Sequence, residues 1–173
     1  MKASIIYRNI FIYRFVMNVL YLMKYKKRFY DIISLFNKED KRVLELCFGD
    51  IIIAQECKKR NISWIGYDIN EYFVKKAELK GFKAFRADLS TLDSFPKSDV
   101  CIMCGSLYHF KDEIGNLLAK MLNSSPKIII SEPIENISSQ KGILGKISRF
   151  LTNAGKGNEN FRFDKTSIIE TLD

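Results

Sequence analysis

Histidine occurs once in this chain, as His109, and with that scarcity no zinc set can be completed convincingly. The four cysteines, Cys47, Cys57, Cys101 and Cys104, sit inside apolar patterns and not in a loop framework. Cys101 and Cys104 form a C-x-x-C, but within a strand a spacing of three points the side chains to opposite faces. All four are expected to be core thiols, with no metal ligands. No signal-peptide cleavage site precedes them, which is the cysteine usage of a reducing cytoplasm. Also missing is an apolar run of about 20 uncharged residues, the length a membrane span requires. The nearest approach, Ile5 to Met23, is interrupted by Arg8 and Arg14, and arginines inside a span are expensive. There are no internal repeats. The one stretch of low complexity, Ile134 to Gly157, is rich in Ser, Asn, Gly and Lys, with an amphipathic piece at Ile143 to Leu151. It suits a lid or substrate loop, or equally a surface linker.

What is present is enough to fold. With 47% hydrophobic residues in 173, the chain has the size and content of one α/β domain with a sizeable core. Its net charge of +8 is unevenly spread: residues 1–42 hold ten Lys or Arg against three Asp or Glu, a net +7. The remainder is close to neutral, whereas a nucleic-acid enzyme carries its basic face on the folded domain around the cleft. No nucleic-acid partner is therefore expected.

Two short apolar runs, Arg42 to Leu46 and Ile62 to Tyr67, have the composition of strands buried between helices. Ile51 to Arg60 between them has a helical pattern, so the whole predicts a βαβ unit with its right-handed crossover. Ligands of such sheets bind beyond the carboxyl ends of the strands. Asp68, nineteen residues after Gly49, ends the second strand, and its carboxylate can accept from both hydroxyls of a ribose. The turn after the first strand is short of glycine: the positions that G-x-G-x-x-G would fill hold Cys47, Gly49 and Ile52. Glu45 on the strand and Asp50 in the turn would repel a pyrophosphate but suit a cationic amino-acid group. A carboxylate such as Glu45 is costly to bury without a partner, which a ligand ammonium would supply. Together these features point to S-adenosylmethionine.

From about Lys41 to Asn136 the residues resemble the class I S-adenosylmethionine-dependent methyltransferases. Glu45-Leu46-Cys47-Phe48-Gly49-Asp50-Ile51 matches the first family motif in its acid and middle glycine, with Cys47 and Ile51 in place of the outer glycines. The resemblance implies that Asp68 binds the ribose and that Ile69 packs on the adenine. It implies further that Asp88, in Phe85-Arg86-Ala87-Asp88-Leu89, accepts from the adenine amino group while the Leu89 amide faces the ring. Asp99 to Phe110 resembles the fourth strand and active-site loop, placing Cys104 and Gly105 at the cofactor and Tyr108 and His109 at the acceptor. Lys127 to Pro133, with Glu132, resembles the fifth strand. The implied fold is a Rossmann-like, doubly wound, mostly parallel sheet in the order 3-2-1-4-5. Its domain covers 41–173 and is preceded by a helical segment, 1–40, that packs on it.

The implied activity is methyl transfer to a small-molecule acceptor, with His109 facing the expected methyl position and Tyr108 and Glu132 as weaker partners. The loop reads Cys104-Gly105-Ser106-Leu107, without the Asn or Asp followed by Pro-Pro and an aromatic that marks the amino-directed DNA enzymes. Each acid has a plainer use too: Asp68 as a turn former and Asp88 as a cap on Leu89-Ser90-Thr91. A nicotinamide-dependent oxidoreductase is disfavoured by the broken glycine pattern and the absence of Tyr-x-x-x-Lys. A non-catalytic or degenerate nucleoside-binding domain is the alternative of a different class. In the family pattern the N-terminal helices cover the ligand, and Tyr7, Tyr13 or Tyr30 would line its pocket. The competing use of residues 1–30 is peripheral membrane contact, with Lys24-Tyr25-Lys26-Lys27-Arg28 near lipid phosphates. Asp164 or Thr166 is expected to cap a last helix from Ser167 onward. Strands six and seven are expected to be missing, which fits a short protein or a fragment and leaves a sheet edge open to homodimerisation.

Overall fold

The computed structural model describes residues 9–134 and 161–172. Five strands, β1 (Arg42–Leu46), β2 (Ser63–Asp68), β3 (Lys83–Arg86), β4 (Val100–Cys104) and β5 (Lys127–Ser131), form one sheet in the order β3-β2-β1-β4-β5. Every pairing is parallel, and the order is the one the sequence resemblance implies. The helices are α1 (Ile10–Leu20), α2 (Tyr25–Ser34), α3 (Ile52–Lys59), α4 (Glu71–Glu78), α5 (Ile114–Ser124) and α6 (Lys165–Leu172).

The chain divides into two compact units. Phe29–Cys104 with Asp112–Ser131 holds the whole sheet together with α3, α4 and α5. The other unit contains, among the described residues, 9–28, 105–111, 132–134 and 161–172. The N-terminal segment 1–40 is thus shared between them. The stretch expected as a lid or a linker, Ile134 to Gly157, lies outside the described residues apart from Ile134, as do Tyr7 and Arg8.

In the sheet unit, all five residues of β4 and the last four of β1 are buried. That is why these strands read as continuous apolar runs: a parallel sheet is covered on both faces, so nothing alternates. Register at the start of β1 is held by one carboxylate. Asp99 accepts from the backbone N–H groups of Lys41 and Arg42, each at 2.9 Å, and from the Arg42 guanidinium at 2.7 Å. The Arg42 hydrogen bond holds the Asp99 carboxyl below the usual carboxylate range. Being exposed, the pair contributes little energy, and its effect is to align β1 with β4.

Boundaries move by a residue or two. α3 starts at Ile52 with Ile51 as its N-cap, and β2 runs from Ser63 to include Asp68. α6 begins at Lys165, two residues before the expected Ser167. Asp164 is the cap: its Oδ1 accepts from Ser167 N–H at 2.8 Å, while Ser167 Oγ accepts from Asp164 N–H at 2.9 Å. This reciprocal pair is a capping box with Ser in the place of Glu, and Thr166 lies inside the helix. Among the described residues no helix is long and apolar enough to cross a membrane.

Candidate functional site

The turn after β1 resolves the missing glycines. Cys47 and Gly49 both take left-handed backbone, φ 54° and 52°. Ile51 sits at φ −84°, where any residue fits. Cys47 therefore adopts the conformation a glycine normally provides, and its N–H extends the ladder by donating to Tyr67 O at 2.7 Å. Holding a side chain in that region costs about 1 kcal/mol. Cys47→Gly is accordingly expected to raise the unfolding free energy by up to about 0.5 kcal/mol in urea titration, the greater chain entropy of glycine taking back most of the gain. A loss of stability would mean that contacts of the thiol outweigh the strain.

Asp68, buried at the end of β2, is tied to this turn. Its Oδ2 accepts from Gly49 N–H at 2.8 Å and its Oδ1 from Asn70 N–H at 2.8 Å. Each oxygen so engaged keeps lone-pair capacity for a further donor. Burial pushes the carboxyl up to about 6, against the two amides that favour its charged form. Asn70 in turn caps α4 by accepting from Tyr72 N–H at 2.9 Å. The plain role as a turn former and the capacity to bind a nucleoside thus coexist in one residue.

Glu45 is fully buried, and its Oε2 accepts from the Trp64 indole Nε1–H at 2.8 Å. A ligand ammonium is thus not its only prospective partner: Trp64 supplies a donor from within the sheet unit. Val43 lies opposite Trp64 and Glu45 opposite Gly66, so Glu45 and Trp64 are diagonal neighbours on one face. The indole passes directly over Gly66, where a Cβ would stand 2.1 Å from Trp64 Cη2 and 2.7 Å from Phe48 Cδ1. Phe48 and Phe82 hold the ring edge-on, with centroids 5.3 and 5.9 Å away. A Trp two residues before a Gly, opposite a strand acid, is the signal that sequence reasoning passed over. Asp50 is buried in the same turn and accepts from Ile51 N–H at 2.9 Å.

The remaining expected cofactor residues of the sheet unit are Ile69, Asp88, Leu89 and Cys104. Ile69 is 36% exposed, an apolar side chain next to Asp68 available to cover a flat ring. Asp88 caps the 3-10 turn Leu89–Thr91 through Ser90 N–H at 3.2 Å, and Leu89 is buried. Cys104 is buried at the end of β4. The Cys57 and Cys101 thiols are pushed up to about 12 by burial, as inert core groups are.

The other unit collects groups that sequence reasoning left scattered. Gly105 has φ 68°, and a Cβ there would stand 2.8 Å from Arg28 Nη1. Arg28 donates to Tyr21 Oη at 2.6 Å and lies over the Tyr21 and Tyr25 rings at 4.5 and 4.9 Å. Arg162 covers the Tyr108 ring at 3.9 Å. Glu132 Oε1 accepts from Leu107 N–H at 2.5 Å, so the carboxylate orients the loop. Burial raises it to about 7, with the Leu107 and Ser106 amides, Arg28 and Arg162 pulling the other way. His109 is lowered to about 4 by burial and by Arg162, and is neutral at pH 7. Its ring lies 3.9 Å from that of Tyr108. Tyr13 is buried edge-on to Tyr25 at 6.2 Å, and Tyr30 is exposed. The basic run Lys24 to Arg28 suggests lipid phosphates for Arg28, whereas its guanidinium lies on Tyr21 and Tyr25 and acts on Glu132; nothing in the spacing of Arg28 or Arg162 ties either to that acid.

No family model matches the chain, and no curated protein matches it. Solved structures do. A SAM-dependent methyltransferase from Archaeoglobus fulgidus is 23% identical, with a TM-score of 0.60 over 85% of this chain and 65% of its own. The magnesium protoporphyrin IX methyltransferase from Synechocystis, with SAH bound, is 17% identical with a TM-score of 0.61, over 91% and 73%. The sugar N-methyltransferase from Streptoalloteichus is 14% identical with a TM-score of 0.52, over 61% and 46%. The chain spans less than two thirds of the length of the first and less than half of the last. With its five parallel strands in the order 3-2-1-4-5, this chain has the fold of the class I S-adenosylmethionine-dependent methyltransferases.

Proposed function

We propose that the chain binds S-adenosylmethionine and directs methyl transfer to a small-molecule acceptor. The observation that carries this reading is the stitched turn: left-handed backbone at Cys47 and Gly49, with the Gly49 amide held on the buried Asp68 carboxylate. Those residues fit the cofactor. Asp68 would hold the ribose hydroxyls, Ile69 would cover the adenine, and Asp88 with the Leu89 amide would meet its edge. Glu45 and Asp50 supply negative charge for the amino-acid end, with Cys47, Gly49, Cys104 and Gly105 as small residues along the turn and strand end.

The bound sulfonium supplies an electrophilic methyl group with its own leaving group, so the protein's task is positioning. His109 and Tyr108 are proposed to contact the acceptor. As a neutral imidazole held to about 4, His109 accepts a hydrogen bond from an acceptor hydroxyl or amine, but it is too weak a base to remove a proton far ahead of transfer. The sugar and porphyrin enzymes with this fold support a small acceptor.

Calorimetric titration with S-adenosylmethionine, S-adenosylhomocysteine and NAD tests the reading. Binding of the first two at a Kd of about 1–100 μM, and none of NAD, is expected. Absence of binding by all three would leave the non-catalytic domain as the better account, and binding of NAD alone would restore the oxidoreductase.

A further inference from the structure

α1 carries one charged residue, Arg14, and one amide, Asn18, and is otherwise apolar or aromatic. One side is buried, through Ile10, Tyr13 and Leu20. The opposite side carries Phe11, Ile12, Phe15 and Val19, which fall within an arc of about 100° and are all exposed. Phe11 is 77% and Phe15 71% exposed, and the turn that follows adds Leu22 at 66% and Met23 at 78%. A helix at an aqueous surface turns polar residues outward; here every outward residue is apolar. Immediately after it come Lys24, Lys26 and Lys27, all exposed. Residues 1–30 contain seven Lys or Arg and no Asp or Glu, the first acid being Asp31.

An apolar stripe beside a purely basic cluster is complementary to a surface that is apolar within and anionic at its rim. A second copy of this chain would satisfy the stripe, yet it would bring its own exposed Lys24, Lys26 and Lys27 to an interface that already carries three. A bilayer with acidic headgroups satisfies both. The helix has 11 residues, about 16 Å, roughly half a bilayer's hydrocarbon thickness, so it can lie in the interface but cannot span it. We propose that the outer face of α1, with Leu22 and Met23, docks flat on a membrane surface rich in anionic lipid, with Lys24, Lys26 and Lys27 against the phosphates. This docking is independent of the cofactor reading.

The test is co-sedimentation of the full chain with phosphatidylcholine vesicles, with and without one third phosphatidylglycerol, at low and high salt. Binding to the anionic vesicles that weakens with salt is expected. Phe15→Ser with Met23→Ser should lower affinity for them at least about tenfold. Lys24→Gln with Lys26→Gln and Lys27→Gln should remove most of the salt dependence. These positions are exposed, and an unchanged thermal melt checks that the variants fold, with Leu22→Ser as a milder substitute should the pair fail. Wild-type protein that ignores both vesicles, or sediments equally well after both sets of changes, overturns the proposal. So does self-association that the apolar variant abolishes in the absence of vesicle binding, which would assign the face to a second copy.

Discussion

Asp68→Ala is expected to weaken S-adenosylmethionine binding ten- to a hundredfold, about 1.4–2.7 kcal/mol. The change removes an acceptor for two ribose hydroxyls and also leaves the Gly49 and Asn70 amides without the oxygens they now reach at 2.8 Å. Stability should fall in step by about 1–3 kcal/mol, so the titration belongs well below the melting temperature. The pH dependence separates the two roles. Because the folded carboxyl titrates near 6, above its ordinary 3.8, folding favours its protonated form. Its contribution to stability is therefore full below 3.8 and is lost as pH rises through 6. Cofactor binding runs in the opposite direction, since only the ionised group accepts at both oxygens, so wild-type affinity should drop as pH falls from 7.5 through 6. A flat affinity profile in that window, or unchanged binding by the alanine variant, would remove Asp68 from the cofactor site.

Gly66→Ala should destabilise the sheet unit by about 3–5 kcal/mol. The new Cβ would stand 2.1 and 2.4 Å from two atoms of the Trp64 ring, so the ring must move. It cannot move freely, being flanked edge-on by Phe48 and Phe82 and bonded to Glu45. Displacing the indole takes a donor from a carboxyl group with no solvent exposure, and a buried acceptor that loses its donor adds to the cost. Trp64→Phe isolates that second component: it keeps the aromatic packing, removes the N–H, and should cost about 2–3 kcal/mol alone. Both are read from urea unfolding midpoints. A Gly66→Ala variant within 1 kcal/mol of wild type would mean that the indole does not lie over this glycine in solution.

The strands were legible because a parallel sheet buries both faces. Val43 to Leu46 and Val100 to Cys104 are apolar without alternation apart from Glu45, and that one acid does not break the strand. Asp68 was legible from spacing, since a βαβ unit returns the chain to the neighbouring strand after one helix. Helix ends were less so, because a single side-chain hydrogen bond sets them: Asp164 pairing with Ser167 starts α6 two residues early.

What the sequence determined by itself is what short-range pattern and covalent spacing encode: strand identity, the parallel order by resemblance, the acid within β1 and the acid that ends β2. Only the tertiary structure decided how those acids are satisfied. That Cys47 takes a glycine's backbone, that Trp64 reaches across Gly66 to Glu45, and that Arg28 and Arg162 both act on Glu132 are juxtapositions of residues far apart in the chain. The energy of a buried charge depends on the donors and dielectric around it, and these exist only once the chain has closed upon itself.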